Sequence, residues 1–255
     1  MSAKKDDPIG VFDSGLGGIS VLREAVRQLP HEKFLYYGDS ANAPYGEKSV
    51  AEVQALTERA FLHLLNRGCK AVVLACNTAT AAAAELLREK YPGFPLLGIE
   101  PALKPAAAPG GNILVLATPL TIREEKYRQL AAQYGHTAHI LSLPCPGIPE
   151  LVENGITEGE PVEQILRPLL APYRDRHFDR VVLGCTHYPF VANSIRRVLG
   201  YPVQMVDGAA GTAAYLRVRL EKADLLRPTQ LPGSVRFENS RPDKLPLMER
   251  LLAEH

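Results

Sequence analysis

An excess of charge of either sign is missing from this chain of 255 residues, in which 29 Lys and Arg face 28 Asp and Glu. A formal net charge of +1 gives no field to draw the protein to nucleic acid or an anionic membrane surface. No block of like charge is long enough to act as a binding arm. Long apolar runs are also missing: the stretch beginning at Thr78 is cut by Glu85 and Arg88, far short of a membrane span. Met1 to Pro8 contains no apolar h-region, so the expectation is a cytoplasmic chain without a secretory signal peptide. Cysteine is scarce. None of the four forms a C-x-x-C pair, which argues against a disulfide framework and a structural zinc ribbon. An intact dinucleotide fingerprint is lacking too, because Gly15 and Gly17 would need a glycine at position 20, where Ser20 stands.

What is present is a folding composition, 46% hydrophobic and 22% charged, on a length suited to one large α/β domain or two lobes. Short β-branched runs alternate with helical spacing. Strands are expected at 9–12, 33–38, 71–75, 96–99, 113–117, 137–143, 180–184 and 203–206. Helices are expected at 19–28, 49–66, 77–91, 121–134, 160–173, 191–199 and 208–225, the second opened by a Ser49-x-x-Glu52 capping box. Continuous apolar strands covered by helices predict α/β architecture with mostly parallel sheets. Val72 to Cys76 (V-V-L-A-C) recurs as Val181 to Cys185 (V-V-L-G-C), and Gly10 to Ser14 echoes Ile113 to Thr118. These echoes predict two pseudo-symmetric lobes, 1–98 with 208–255 and 99–207, that face each other across a cleft, with the Pro-rich stretch Pro101 to Gly111 marking the first lobe boundary.

In parallel sheets, ligands collect at the carboxyl ends of strands. Four strands end there in polar or reactive groups: Asp13-Ser14, Asp39-Ser40, Cys76-Asn77-Thr78 and Cys185-Thr186-His187. Cys69 and Cys145 read as small buried hydrophobes. Cys76 and Cys185 instead precede predicted helix N-termini, which lower a thiol pKa from about 8.5 toward neutrality. His187 is placed to exchange a proton with Cys185 or a substrate, and Asp13 either caps a helix or serves chemistry. Asn77, Thr78 and the segment after Thr186 offer helix-end N–H groups to a carboxylate. The loop Ala41 to Gly46 either brings Tyr45 and the Gly46 amide over the crevice or is an ordinary turn. Two thiols on opposite sides of a carbon suit inversion of a stereocentre α to a carboxylate, one removing a proton and the other returning one. A metal site built from Asp13, Cys76, Cys185 and His187, and a non-catalytic amino-acid binder, stay open as alternatives.

Asp13-Ser-Gly-Leu-Gly-Gly18, Pro44-Tyr-Gly46, Ala75-Cys-Asn-Thr-Ala79 and Gly184-Cys-Thr-His-Tyr-Pro189, in this order, resemble the cofactor-independent glutamate racemases of the aspartate/glutamate racemase superfamily. The resemblance implies bacterial D-glutamate supply for peptidoglycan, with no pyridoxal phosphate or metal. It also implies a small-molecule partner, L- or D-glutamate, and leaves room for a homodimer. In its terms Cys76 acts on D-glutamate with Asp13 nearby, and Cys185 on L-glutamate with His187 nearby. Asp13, Ser14, Tyr45, Gly46, Asn77, Thr78, Thr186 and His187 become substrate contacts, and Thr118 and Glu153 look similar to further ones. Thr80 and Ser40-Ala-Asn42 depart from the family pattern, which has serine at the first position and Thr-Ala-Arg at the second. His187 after the Cys-Thr pair favours glutamate, since the sister aspartate racemases carry glutamate there.

Overall fold

Ile9–Asp13 (β1) is buried at every residue, as a strand covered on both faces must be. The computed structural model describes residues 4–253. After β1 come Ile19–Gln28 (α1), Lys33–Gly38 (β2), Val50–Asn66 (α2), Ala71–Leu74 (β3), Asn77–Lys90 (α3), Leu96–Gly98 (β4) and Leu103–Ala107 (α4). The chain continues through Asn112–Ala117 (β5), Pro119–Arg123 (α5), Glu125–Tyr134 (α6), His139–Pro144 (β6), Ile148–Glu153 (α7) and Glu160–Leu170 (α8). Arg180–Gly184 (β7), Ala192–Leu199 (α9), Gln204–Val206 (β8), Ala209–Lys222 (α10), Ser234–Asn239 (β9) and Leu245–Ala253 (α11) complete it.

Local chemistry sets several of these boundaries. The Ser49 hydroxyl accepts the Glu52 N–H while Glu52 accepts the Ser49 N–H, so α2 begins with both halves of the capping box. Thr118 caps α5 ahead of Pro119, whose missing N–H costs nothing at a first helical position. The single helix expected over 121–134 is in fact two, because Glu124 is extended (φ −65°, ψ 136°). Helices α4, α7 and α11 and strand β9 are additional to the sequence expectation.

Two sheets result, ordered β4-β3-β1-β2-β9 and β6-β5-β7-β8, and every paired strand is parallel. The sequence echoes fall on equivalent sheet positions. β1 lies between β2 and β3, β5 lies between β6 and β7, and the echoing cysteines follow β3 and β7. Strand β9 extends the first sheet, pairing with β2 so that Gly38 sits opposite Asn239. One apolar core contains Val11 and Val73 of the first sheet together with Leu114 and Val181 of the second, and α11 adds Met248 and Leu251 to it. The two lobes therefore share apolar packing, where each fully buried Leu or Val contributes roughly 1.5–3 kcal/mol. No helix among the described residues is long and apolar enough to cross a membrane.

The loop between β1 and α1 is shaped by close approach. A Cβ added at Gly15 would lie 2.0 Å from Glu153 Oε1, and one at Gly17 would lie 2.5 Å from His187 Nδ1. The glycines let this loop of the first lobe press directly on side chains of the second. Ser14-Gly-Leu-Gly-Gly18 is a seat for two side chains.

Candidate active site

The carboxyl ends of β1, β3, β5 and β7 meet at one cavity of about 170 Å³, walled by residues of both lobes. Cys76 from the first sheet and Cys185 from the second both line it, and only 5% and 7% of their surfaces are exposed. Cys69 and Cys145 are buried and free. Cys145 lines a smaller neighbouring recess, not this cavity.

Cys76 is the N-cap of α3, its sulfur accepting the Ala79 N–H at 3.4 Å and lying 3.5 Å from the Ser14 hydroxyl. Sequence alone suggests a thiol lowered by the helix end, and the structure reverses that sign. Burial, reinforced by the negative charge of Asp13, pushes the Cys76 thiol up to about 12, outweighing the Ser14 and Ala79 contacts. Cys185, unlike Cys76, has no α-helix directly after it: a 3-10 turn, Tyr188–Val191, intervenes before α9.

Cys185 Sγ lies 3.7 Å from His187 Nδ1, and His187 Nε2 lies 2.9 Å from Glu153 Oε1. Burial alone would lower the His187 pKa, but its bonds to Cys185 and Glu153 raise it well above its ordinary value. Burial likewise disfavours a charged Glu153. Its hydrogen bond and ion pair with His187, aided by the Leu16 N–H at 2.5 Å and the Ser40 hydroxyl at 2.8 Å, hold it below the usual carboxylate range. The imidazole of His187 is thus held between a carboxylate and a sulfur.

Asp13 is fully buried and stands behind the wall, outside the cavity lining. Its carboxylate accepts the Gly15 N–H at 3.0 Å and the Thr186 hydroxyl at 3.0 Å, so it joins the two lobes. The cap of α1 is Gly18 without side-chain help, which removes the capping role for Asp13. Burial pushes Asp13 above the ordinary carboxylate range, against the pull of the His187 charge.

Ser14, Tyr45, Gly46, Asn77, Thr78 and Thr118 all face the cavity, as do Glu153, Thr186 and His187. The Tyr45 hydroxyl donates to Asp39 at 2.7 Å, and burial with the Asp39 charge keeps that phenol protonated by raising it. Thr78 and Thr118 bond hydroxyl to hydroxyl across the lobes at 2.9 Å, and a side chain at Gly46 would collide with Thr118 at 2.7 Å. Asn77 Oδ1 is buried in the wall without a hydrogen-bond partner, an acceptor whose desolvation is uncompensated until a donor arrives.

Sequence reasoning named Ser40 only as part of a polar strand end and did not place Arg241 and Lys244 in this site, yet all three line the cavity. Ser40 bonds Glu153 and accepts the Asn239 side-chain N–H at 3.0 Å. Lys244 Nζ donates to the Glu153 carbonyl at 2.6 Å. The alternation of Val235 and Phe237 against Arg236 and Glu238 is the strand signal that would have found this segment. Among the described residues no group of three or more His, Cys, Asp or Glu is arranged to hold a metal ion.

Two parallel-sheet lobes that enclose one polar cavity lined by two thiols define a two-lobed α/β enzyme. The chain belongs to the Asp/Glu/hydantoin racemase family, whose pattern matches residues 9–216, and it is an amino-acid racemase. It is 47% identical over 252 residues to a glutamate racemase of Clostridium perfringens, with 97% of each chain covered. It is 49% identical over 252 residues to that of Clostridium acetobutylicum, covering 97% of this chain and 98% of the relative. The structure of Francisella tularensis glutamate racemase in complex with D-glutamate matches with a TM-score of 0.84 at 29% identity, over 98% of this chain and 95% of that one.

Proposed function

We propose that the chain interconverts L- and D-glutamate by proton transfer between two cysteines, without pyridoxal phosphate or a metal. The observation that carries this reading is that Cys76 and Cys185, following equivalent strands of opposite sheets, line one cavity. Sequence identity of 47% and 49% over nearly the full length of relatives named as glutamate racemases supports the choice of amino acid. The lobes are 1–98 with 208–255 and 99–207, as the membership of the two sheets supports.

In the L-to-D direction the Cys185 thiolate takes the α-proton and becomes a thiol. The Cys76 thiol gives its proton to the opposite face of the carbon and becomes a thiolate. One C–H bond breaks, one forms, and the substrate keeps its composition, so no redox partner is required. The high pKa of Cys76, about 12, fits its service as the proton donor in this direction. His187, at 3.7 Å from the Cys185 sulfur, manages the charge on that side, and Asp13 manages it beside Cys76. Asn77 Oδ1 is the acceptor for the substrate ammonium. Ser14, Tyr45, Gly46, Thr78, Thr118 and Thr186 supply hydroxyls and N–H groups to the carboxylates and to the charge that develops on them in the carbanionic transition state. The product, D-glutamate, serves peptidoglycan assembly in a bacterial cytoplasm.

Circular dichroism on each enantiomer of glutamate, with aspartate as the comparison, tests the activity without added cofactor. Cys76→Ala and Cys185→Ala are each expected to abolish racemisation in both directions, because a single base cannot complete the inversion. Substantial turnover by either variant removes the two-thiol mechanism. Racemisation of aspartate in preference to glutamate removes the substrate assignment.

A further inference from the structure

The loop that follows β2 forms one side of the cavity. Ser40, Ala43, Pro44, Tyr45 and Gly46 line it, whereas Asp39 stands behind them, outside the lining and only 2% exposed. The first half of the loop is anchored on its own account. The Asp39 N–H donates to the Asp13 carbonyl at 3.0 Å, the Ser40 hydroxyl to Glu153 at 2.8 Å and the Ala41 N–H to Ser240 at 2.9 Å.

The second half, Ala43 to Gly46, has a single polar side-chain group, the Tyr45 phenol. It donates to Asp39 Oδ2 at 2.7 Å, so its hydrogen is committed to a group outside the cavity lining. The Tyr45 ring is buried and packs on Phe12, with centroids 6.2 Å apart. Asn42 Nδ2 reaches both Asp39 oxygens, at 2.9 and 3.0 Å, and Arg59 of α2 stands 3.9 Å from Oδ2. The carboxylate is thereby fixed from two sides, and hydrogen bonds to carboxylates are roughly twice as strong as neutral ones. Gly46, next along, lies so close to Thr118 of the other lobe that an added Cβ would be 2.7 Å from it. With the phenol engaged, what Tyr45 and Gly46 present to a ligand is main chain, and such donors act only as well as they are placed.

We propose that Asp39 is a positioning residue: it holds the Tyr45 phenol behind the cavity wall, so that the main-chain N–H groups of Tyr45 and Gly46, and not the Tyr45 hydroxyl, serve the bound ligand. The inference rests on the glutamate reading for its ligand. Its mechanical part, the fastening of 43–46 by one side-chain bond, is testable apart from turnover. Asp39 touches no reacting atom and acts only through Tyr45.

The test combines steady-state kinetics on L- and D-glutamate with amide hydrogen exchange. Asp39→Ala and Tyr45→Phe are each expected to lower kcat/KM on the order of tenfold, with most of the loss in KM, and to speed exchange at the amides of Ala43, Tyr45 and Gly46. The double variant should lose no more than either single one, because the two side chains act through one bond. Asp39→Asn, which still offers the phenol a carbonyl oxygen, should recover part of the loss. Thermal unfolding of each variant separates a displaced loop from a lost fold, and Tyr45→Phe, which keeps the buried ring, carries the test if Asp39→Ala does not fold. Additive losses in the double variant overturn the proposal. A loss in Tyr45→Phe with wild-type kinetics in a folded Asp39→Ala also overturns it, since the phenol would then act on the ligand directly. A fall in kcat at constant KM, or wild-type exchange at these amides in both variants, does the same. If the wild-type protein racemises no glutamate, the substrate reading fails, and the exchange measurement decides the Asp39 assignment by itself.

Discussion

His187 Nε2 and Glu153 Oε1 lie 2.9 Å apart, and this contact connects the C-terminus of α7 to the strand end that carries Cys185. Glu153 is fixed in turn by the Leu16 N–H, the Ser40 hydroxyl and Lys244. Four separate stretches of chain thus converge on the group that sets the charge of one imidazole. A buried ion pair of this kind is sensitive to the loss of either partner.

Glu153→Gln removes the carboxylate while keeping a side chain of similar shape. Glu153 is one of the two groups that raise His187, so His187 in the variant loses its proton at a lower pH than in the wild type. The alkaline limb of the pH–rate profile for L-glutamate should shift to lower pH, and kcat should fall on the order of a hundredfold. Stability follows the same sign. The raised folded pKa of His187 contributes stability that is fully present below its ordinary value of 6.5 and is lost as pH rises through the folded value. The stability gap between wild type and Glu153→Gln, measured by urea unfolding, should therefore narrow as the pH is raised through that range. A constant gap from acid to alkaline pH contradicts this.

Gly15→Ala places a Cβ at 2.0 Å from Glu153 Oε1, and Gly17→Ala places one at 2.5 Å from His187 Nδ1. Both positions are packed between lobes, so overpacking should cost roughly 1–3 kcal/mol and displace the imidazole from Cys185. Thermal unfolding and steady-state kinetics on the two variants check this. Wild-type rates in either one would show that the loop yields freely.

Lys70 is fully buried, its ammonium 2.6 Å from Glu32 and 2.6 Å from the Lys5 carbonyl. Burial lowers its pKa, and Glu32 opposes that shift. Glu32 also accepts the Arg227 N–H at 2.8 Å, so the pair ties the approach to β1 to the segment between α10 and β9. Lys70→Met leaves the Glu32 carboxylate buried without its counter-ion and should cost about 3–5 kcal/mol. The double variant Lys70→Met, Glu32→Gln should cost less than the single one. Equilibrium urea unfolding gives both numbers, and a double variant worse than the single one would refute the pairing.

Much of the frame was legible in the chain. Runs such as Val72 to Leu74 and Val181 to Leu183 have the continuous apolar character of strands covered on both sides, and the cysteine after each one marked a strand end. The capping box at Ser49 and Glu52 was legible because it is purely local. Strand β9 escaped notice because it is a polar edge strand, with no residue of it fully buried.

By itself, then, the sequence determined the α/β alternation, the two echoing halves and the pair of cysteines, since these follow from side-chain pattern over a few neighbouring residues. Tertiary structure decided the rest. The Cys76 thiol is raised because burial and Asp13 outweigh a helix end, a balance between desolvation and charge that no spacing encodes. Ser40, Arg241 and Lys244 join Glu153 and His187 at one cavity because β9 docks on β2, a pairing between segments nearly a whole chain apart.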